Sequence, residues 1–212
     1  NTDYINTEPT SATFLFGGTQ MGHTYRNSKS VGGKFDFTSQ ISSNHEIKTG
    51  FSFRNDNLVE RNLTVLYDQN FDEPTVLSEN KSPYHIFYDK DAVQYSAYIQ
   101  DKMEYSSMIM NLGIRYDAFV PNDSTIANLL YPEADQKEAK TKTMISPRIG
   151  VSLPITDKGI FHFSYGHFYQ MPTLRNLYRE SYFGAGLAPT VGNPDLKPEK
   201  TVLYEFGFQQ QF

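Results

Sequence analysis

The chain contains no cysteine and no tryptophan. The first absence excludes a disulfide framework and any thiolate metal site. The second removes one of the two residue types that normally share the aromatic belts of a membrane protein. No run of eighteen apolar residues occurs, so no transmembrane helix is expected. Positive charge is not in excess: 19 Lys and Arg stand against 24 Asp and Glu, a formal net charge of −5. That balance argues against a nucleic-acid partner. Phosphate loops are missing too, because Gly17, Gly18, Gly32 and Gly33 lack the Lys-Ser/Thr element that follows such glycines. No G-x-S-x-G elbow frames a nucleophile, and the chain reads as a non-enzyme. Of the five histidines, His162 and His167 fall on opposite faces of one strand, while His23, His45 and His85 are scattered. Metal ligation needs convergent side chains, so neither a metal site nor a cofactor is expected. No signal peptide opens the chain, and residues 1–30, polar and strand-poor, read as the middle of a loop.

What the chain does have is aromatic residues, 16 Phe and 15 Tyr, within a polar mean hydropathy of −0.53. It also has a rhythm. Period-two segments are joined alternately by short polar turns and by long connections. Strands are expected over Gly33–Ile41, His45–Arg54, Ala92–Glu104, Met108–Val120, Thr143–Leu153, Gly159–Met171 and Lys200–Phe212. Short turns fall at Ser42–Asn44, Tyr105–Ser107 and Thr156–Lys158, and long loops at about 55–91, 121–142 and 172–199. Transmembrane β-barrels have this asymmetry, with tight turns at one end and elaborated loops at the other.

Residues two apart in a strand share a face. Met108, Met110, Leu112, Ile114 and Tyr116 form one apolar stripe, and Ile145, Ile149, Val151 and Leu153 another. Phe161, Phe163, Tyr165 and Tyr169 form a third, and Val202, Tyr204, Phe206 and Phe208 a fourth. Each stripe spans about ten residues, the length a tilted strand needs to cross the hydrocarbon layer. The fold class expected is therefore all-β, an antiparallel transmembrane barrel segment of about seven strands. Such a sheet cannot be a whole barrel, since open edges would leave backbone groups unsatisfied in lipid. The competing architecture is a soluble β-sandwich, an adhesion or binding protein whose stripes face a second sheet. Two residues test the assignment. Pro147 lies mid-strand, where it lacks a ladder donor and marks an edge or a bulge. Asp101 falls on the apolar parity of its strand, close to a short turn, at the level of the lipid headgroups.

On the opposite parity lie Arg54, Arg115, Asp117, Arg148 and Glu205, expected as a lumen-facing charge network bonding neighbouring strands or whatever fills the barrel. The best ligand-contact candidates are Arg175, Tyr178, Arg179, Tyr182 and Phe183, on a long loop where Thr173 is placed to cap a short helix. The loop over 58–90, with Tyr67, Phe71, Tyr84 and Tyr88, is the second candidate. The stretch from Gly192 to Lys200 reads as a rigid loop-to-strand corner, stiffened by Pro194 and Pro198.

Three stretches in register carry a family resemblance. The first is AYIQDKMEY over Ala97–Tyr105 with NLGIRYD over Asn111–Asp117. The second is SPRIG over Ser146–Gly150 with FSYGHFYQMPT over Phe163–Thr173, running on to Leu177 and Tyr178. The third is GNPDLKPEK over Gly192–Lys200 with YEFG over Tyr204–Gly207. HEIKTGFSF over His45–Phe53 is similar as well. Together they resemble the TonB-dependent outer-membrane receptors, with a Bacteroidota-like flavour. The resemblance implies a 22-stranded barrel in a Gram-negative outer membrane, of which residues 1–212 are part of the wall. It also implies a plug domain inside the barrel and a TonB complex acting on an N-terminal box, neither of them in this chain. Import of a small solute or oligomeric nutrient, siderophore uptake included, would follow; a passive porin is the neighbouring alternative.

Overall fold

The computed structural model describes residues 2–6, 18–67, 74–75, 81–82, 85–126, 136–178 and 192–211. In chain order the strands are β1 (Thr2–Asn6), β2 (Gly18–Ser42), β3 (His45–Tyr67), β4 (Pro74–Thr75), β5 (Lys81–Ser82) and β6 (His85–Tyr105). There follow β7 (Met108–Val120), β8 (Ser124–Ile126), β9 (Gln136–Glu138), β10 (Lys142–Thr156) and β11 (Gly159–Gln170). The helix α1 (Leu174–Tyr178) precedes β12 (Glu199–Gln210). The main sheet has the order β1-β2-β3-β6-β7-β10-β11-β12, with β4 added to β3 and β5 to β6; β8 and β9 pair separately. The pairings β6–β7, β7–β10, β10–β11 and β11–β12 are antiparallel, and successive long strands of the chain are neighbours in the sheet. The result is an all-β meander, as the alternation of short and long connections leads one to expect.

Contacts divide the chain into two units, residues 1–29, 57–91 and 174–194 on one hand and 30–56, 92–173 and 195–212 on the other. The second unit holds the seven expected strands. Its register brings the apolar stripes into line: Ile99 faces Ile114, Leu112 faces Ile149, and Ile149 faces Tyr165. Phe161 faces Phe208, Phe163 faces Phe206 and Tyr165 faces Tyr204. Ring centroids in the last two pairs are 5.1 and 5.0 Å apart, contacts worth about 0.5–1.5 kcal/mol each beyond area burial.

Burial in this unit runs opposite to that of a soluble domain. Ile145 is 56% exposed, Ile114 50% and Phe206 71%, while Ser146 and Ser96 on the other parity are buried. In a soluble sheet the apolar stripe would be the covered one. Among the described residues nothing covers it here.

Three expectations are revised. The strand starting at Gly33 begins at Gly18, so the loop expected over residues 1–30 is largely strand, in β1 and the first part of β2. Likewise β3 continues past Arg54 to Tyr67 and β6 begins at His85, shortening the loop placed over 55–91. Past Arg54 and before Ala92 the covered positions are filled by hydrogen-bonding side chains such as Asp56, Glu60 and Tyr88, so the backbone ladder continues with no apolar period-two signal to announce it. Pro147 marks no bulge. It pairs with Ile114 in an unbroken register with β7, whereas the β10–β11 pairing runs only from Arg148 onward. Its missing N–H therefore falls where that ladder ends, and the register shift lies between Pro154 and Thr156.

Candidate functional site

In the second unit the polar parity presents charged side chains whose partners follow from strand geometry. Two residues apart on a strand puts side chains on one face about 6.6 Å apart along the chain, within reach of a long basic side chain. Lys34 pairs with Asp36 at 2.8 Å, Lys48 with Glu46 at 2.9 Å and Arg54 Nε with Asp56 Oδ2 at 2.9 Å. Lys102 pairs with Glu104, and Arg115 Nη2 lies 2.7 Å from Asp117 Oδ1. Thus three of the five polar-face candidates, Arg54, Arg115 and Asp117, sit in ion pairs along their own strands rather than in a network across the sheet. Asp56, buried, additionally accepts from Ser30 Oγ at 2.6 Å and Gln94 Nε2 at 3.2 Å.

Arg148 and Glu205 are placed differently. The Arg148 guanidinium lies 4.9 Å from the centroid of the Phe168 ring. Gly166 leaves room for this stack, since a Cβ there would come within 3.0 Å of the ring and 3.6 Å of Arg148 Cγ. Glu205 faces Ser164 on β11. Both residues line an open groove of about 580 Å³, together with Tyr98, Asn111, Arg115 and Phe168.

Tyr98 spans three strands: its ring crosses Gly50 on β3, and its hydroxyl donates to Asp36 Oδ1 on β2 at 2.7 Å. On the apolar parity, Asp101 is not alone near its short turn. His45 Nδ1 lies 2.8 Å from Asp101 Oδ2, and the Tyr105 hydroxyl lies 3.4 Å from His45 Nε2. The corner over 192–200 is held by Asp195, which accepts from Lys142 Nζ at 2.5 Å and from the Lys140 backbone N–H at 2.8 Å. The Lys142 bond, then the Lys140 amide, holds the Asp195 carboxyl below its ordinary range.

The first unit contains α1, whose position after Thr173 agrees with the helix expected there. Arg175 is exposed, but Tyr178 is only 2% exposed and is packed rather than presented. Burial of that ring removes Tyr178 from the surface available to a solute. Arg179, Tyr182 and Phe183 lie outside the described residues, as do Phe71 and Tyr84 of the second loop candidate. Tyr88 of that loop is buried and donates to Glu60 Oε2 at 2.7 Å, while Arg26 Nε lies 3.1 Å from the same oxygen. Burial pushes the Glu60 carboxyl up, yet the bonds from Tyr88 and Arg26 outweigh it and the net direction is down. Burial, then Glu60, pushes the Tyr88 hydroxyl up.

Among the described residues no cluster of His, Asp and Glu has a metal-binding arrangement. Missed in the sequence were Lys34, Asp36, Glu46, Lys48, Lys102 and Glu104. The signal was available, as opposite charges two apart on one parity. Asp36–Tyr98, Glu60–Tyr88 and Lys142–Asp195 had no such local signal.

The family profile described as TonB dependent receptor-like, beta-barrel matches residues 1–212. No curated protein sequence matches the chain. Among solved structures, a chain titled "Copper transporter OprC" superposes with a TM-score of 0.63 at 16% identity, covering 92% of this chain and 29% of that one. The ferric citrate transporter FecA in its unliganded form gives a TM-score of 0.53 at 14% identity, covering 91% of this chain and 26% of that one. At these identities the likeness is one of fold, and the chain spans less than a third of either protein. A two-faced antiparallel meander with its apolar side exposed and the whole-length profile match lead to one conclusion: the chain belongs to the TonB-dependent receptor β-barrel family.

Proposed function

We propose that these residues form part of the wall of a Gram-negative outer-membrane receptor that binds a scarce extracellular solute and imports it with TonB-coupled energy. The observation that carries this reading is the inverted burial of the second unit, with Ile114, Ile145 and Phe206 exposed while Ser96 and Ser146 are buried. Outer-membrane lipid is the environment that makes such a surface stable, since acyl chains cover the stripe at no desolvation penalty. The opposite face, polar and charge-paired, suits a wet lumen holding a plug domain supplied by the rest of the protein. TonB would engage that protein through an N-terminal box outside this chain. Arg175, the exposed described member of the loop set, is the residue we assign to solute contact, with Arg179, Tyr182 and Phe183 beside it in sequence.

Solute uptake into cells carrying the full-length protein tests the reading. Accumulation that stops on dissipating the proton gradient supports an energised receptor. Uptake that persists unchanged identifies a passive porin, and a protein that melts cooperatively as a detergent-free monomer identifies a soluble sandwich.

A further inference from the structure

Asp101 is a carboxylate on the apolar parity of the second unit. It shares that parity on β6 with Ile99 and Met103, pairs with Leu112 on β7, and lies four residues before Tyr105, where β6 ends. His45, on the parity of the exposed Phe51 in β3, gives it one bond, Nδ1 to Oδ2 at 2.8 Å. A carboxylate can accept about four. Its Oδ1 is covered yet has no hydrogen-bond partner, and a quarter of the side chain, 25%, is exposed. Rotation of the carboxyl group exchanges the two oxygens, so a donor arriving at the exposed edge can be accepted. Lys102, the adjacent cation in sequence, is on the other parity and paired with Glu104.

Tyr105 completes the group. Its ring stands edge-on to the His45 imidazole, centroids 6.2 Å apart, and is itself exposed. Its hydroxyl lies 3.4 Å from His45 Nε2, a long contact that leaves it open to a better acceptor. The base under the three residues is tied together: the Glu104 N–H donates to the Asn44 carbonyl at 2.8 Å, and the Asn44 amide donates to the Glu104 carbonyl at 2.5 Å. In a barrel wall this trio stands at the short-turn edge of the apolar band, where tyrosines meet lipid headgroups. A tilted strand rises about 10 Å over the four residues from Asp101 to Tyr105, a distance on the order of the headgroup layer.

We propose that His45, Asp101 and Tyr105 form a binding site for the headgroup of an aminophospholipid. Asp101 accepts from the primary ammonium, Tyr105 donates to the phosphodiester two carbons away, and His45 holds the carboxylate in place. The acyl chains run along the exposed stripe of Ile99, Leu112 and Ile114. Charge complementarity selects this occupant. The site offers a carboxylate with acceptor capacity to spare beside a hydroxyl donor, and a primary ammonium is a compact cation with three N–H donors. A quaternary ammonium has no N–H to give, and a glycerol headgroup has no cation. The inference rests on the reading of this sheet as a membrane-spanning wall.

The test is native mass spectrometry of the full-length protein in detergent, offered equal amounts of dioleoyl phosphatidylethanolamine, phosphatidylcholine and phosphatidylglycerol. Wild type should retain phosphatidylethanolamine over the other two by roughly tenfold, the worth of one charge-assisted hydrogen bond. Asp101→Asn, close in shape, should bring the three lipids to near parity. Tyr105→Phe should lower retention of all three and keep their order, because the phosphodiester is common to them. Glu46→Gln, near the same end on the other parity, should keep the wild-type preference. Equal retention of the three lipids by wild type overturns the proposal, as does a preference that survives in Asp101→Asn. Displacement of the lipid by millimolar free phosphoethanolamine also overturns it, assigning the site to a soluble ligand. A protein that retains no phospholipid at all sinks the membrane-wall reading itself.

Discussion

The Tyr98 ring lies against Gly50 so closely that a Cβ at position 50 would stand 2.5 Å from Tyr98 Cε1, and 2.6 Å from Asp36 Oδ1. The tyrosine hydroxyl then reaches Asp36 at 2.7 Å, tying β6 to β2 across β3. Glycine is needed here for the absence of a side chain, an arrangement in which an aromatic ring covers the gap a strand glycine leaves.

Gly50→Ala should destabilise the folded wall by about 1–3 kcal/mol, the usual cost of overpacking. In a Tyr98→Ala background the same change should cost much less, because the ring it collides with is gone. Tyr98→Phe, which loses only the hydroxyl bond, should cost about 1 kcal/mol. Urea-driven unfolding equilibria of the full-length protein in phospholipid vesicles measure all three.

His45 and Asp101 form a part-buried pair that makes a carboxylate tolerable on the apolar parity. Asp101 Oδ1 is buried without a hydrogen-bond partner in the structure, so the bond from His45 to Oδ2 is its principal support. Removing His45 alone should therefore be worse than removing both. A double-mutant cycle of His45→Ala and Asp101→Ala should give a coupling energy of about 1 kcal/mol or more. Additive effects would show the pair to be incidental.

Labels on the two faces should report different solvents. Spin labels at Leu112, Ile149 and Phe206 in the lipid-embedded receptor should relax with dissolved oxygen. Labels at Asn111 and Ser164, of the opposite parity, should resist it. Shielding of the first group by a second sheet would favour the sandwich.

Acid should loosen the corner over 192–200 late rather than early. Lys142 and Lys140 hold the Asp195 carboxyl below its ordinary range. A depressed folded value means that the stabilisation is complete above the unfolded value of about 4 and lost only as pH falls through the folded one. The Lys140 amide resonance should hence stay constant from neutral pH to about 5 and shift only below about 4. In Asp195→Asn no such titration should remain, and the buried Lys142 ammonium, with 9% of its side chain exposed, should make that variant less stable at neutral pH. An Asp195→Asn protein of undiminished stability would show that the clamp contributes little.

Much of the wall was legible because face is a local property. Met108–Val120 was delimited from its alternation alone and recurs unchanged as β7. Within the site, the polar parity of Arg115 and Asp117 was equally readable, and their pairing needed only the two-residue spacing on one strand. The placement of Tyr178 was not: its ring is buried, and a sequence does not say which side of a one-turn helix will be covered.

The chain's own order of residues determined its all-β class, the apolar parity that carries Leu112, Ile149 and Phe206, and the positions of the tight turns. All three follow from backbone geometry repeated every second residue, which needs no distant partner. Tertiary structure alone decided that Tyr98 crosses Gly50 to Asp36, that His45 answers Asp101, and that Lys142 is answered by Asp195. Those contacts depend on the stagger between strands or on where a loop returns, and stagger is set by the whole ladder of paired strands rather than by any one of them.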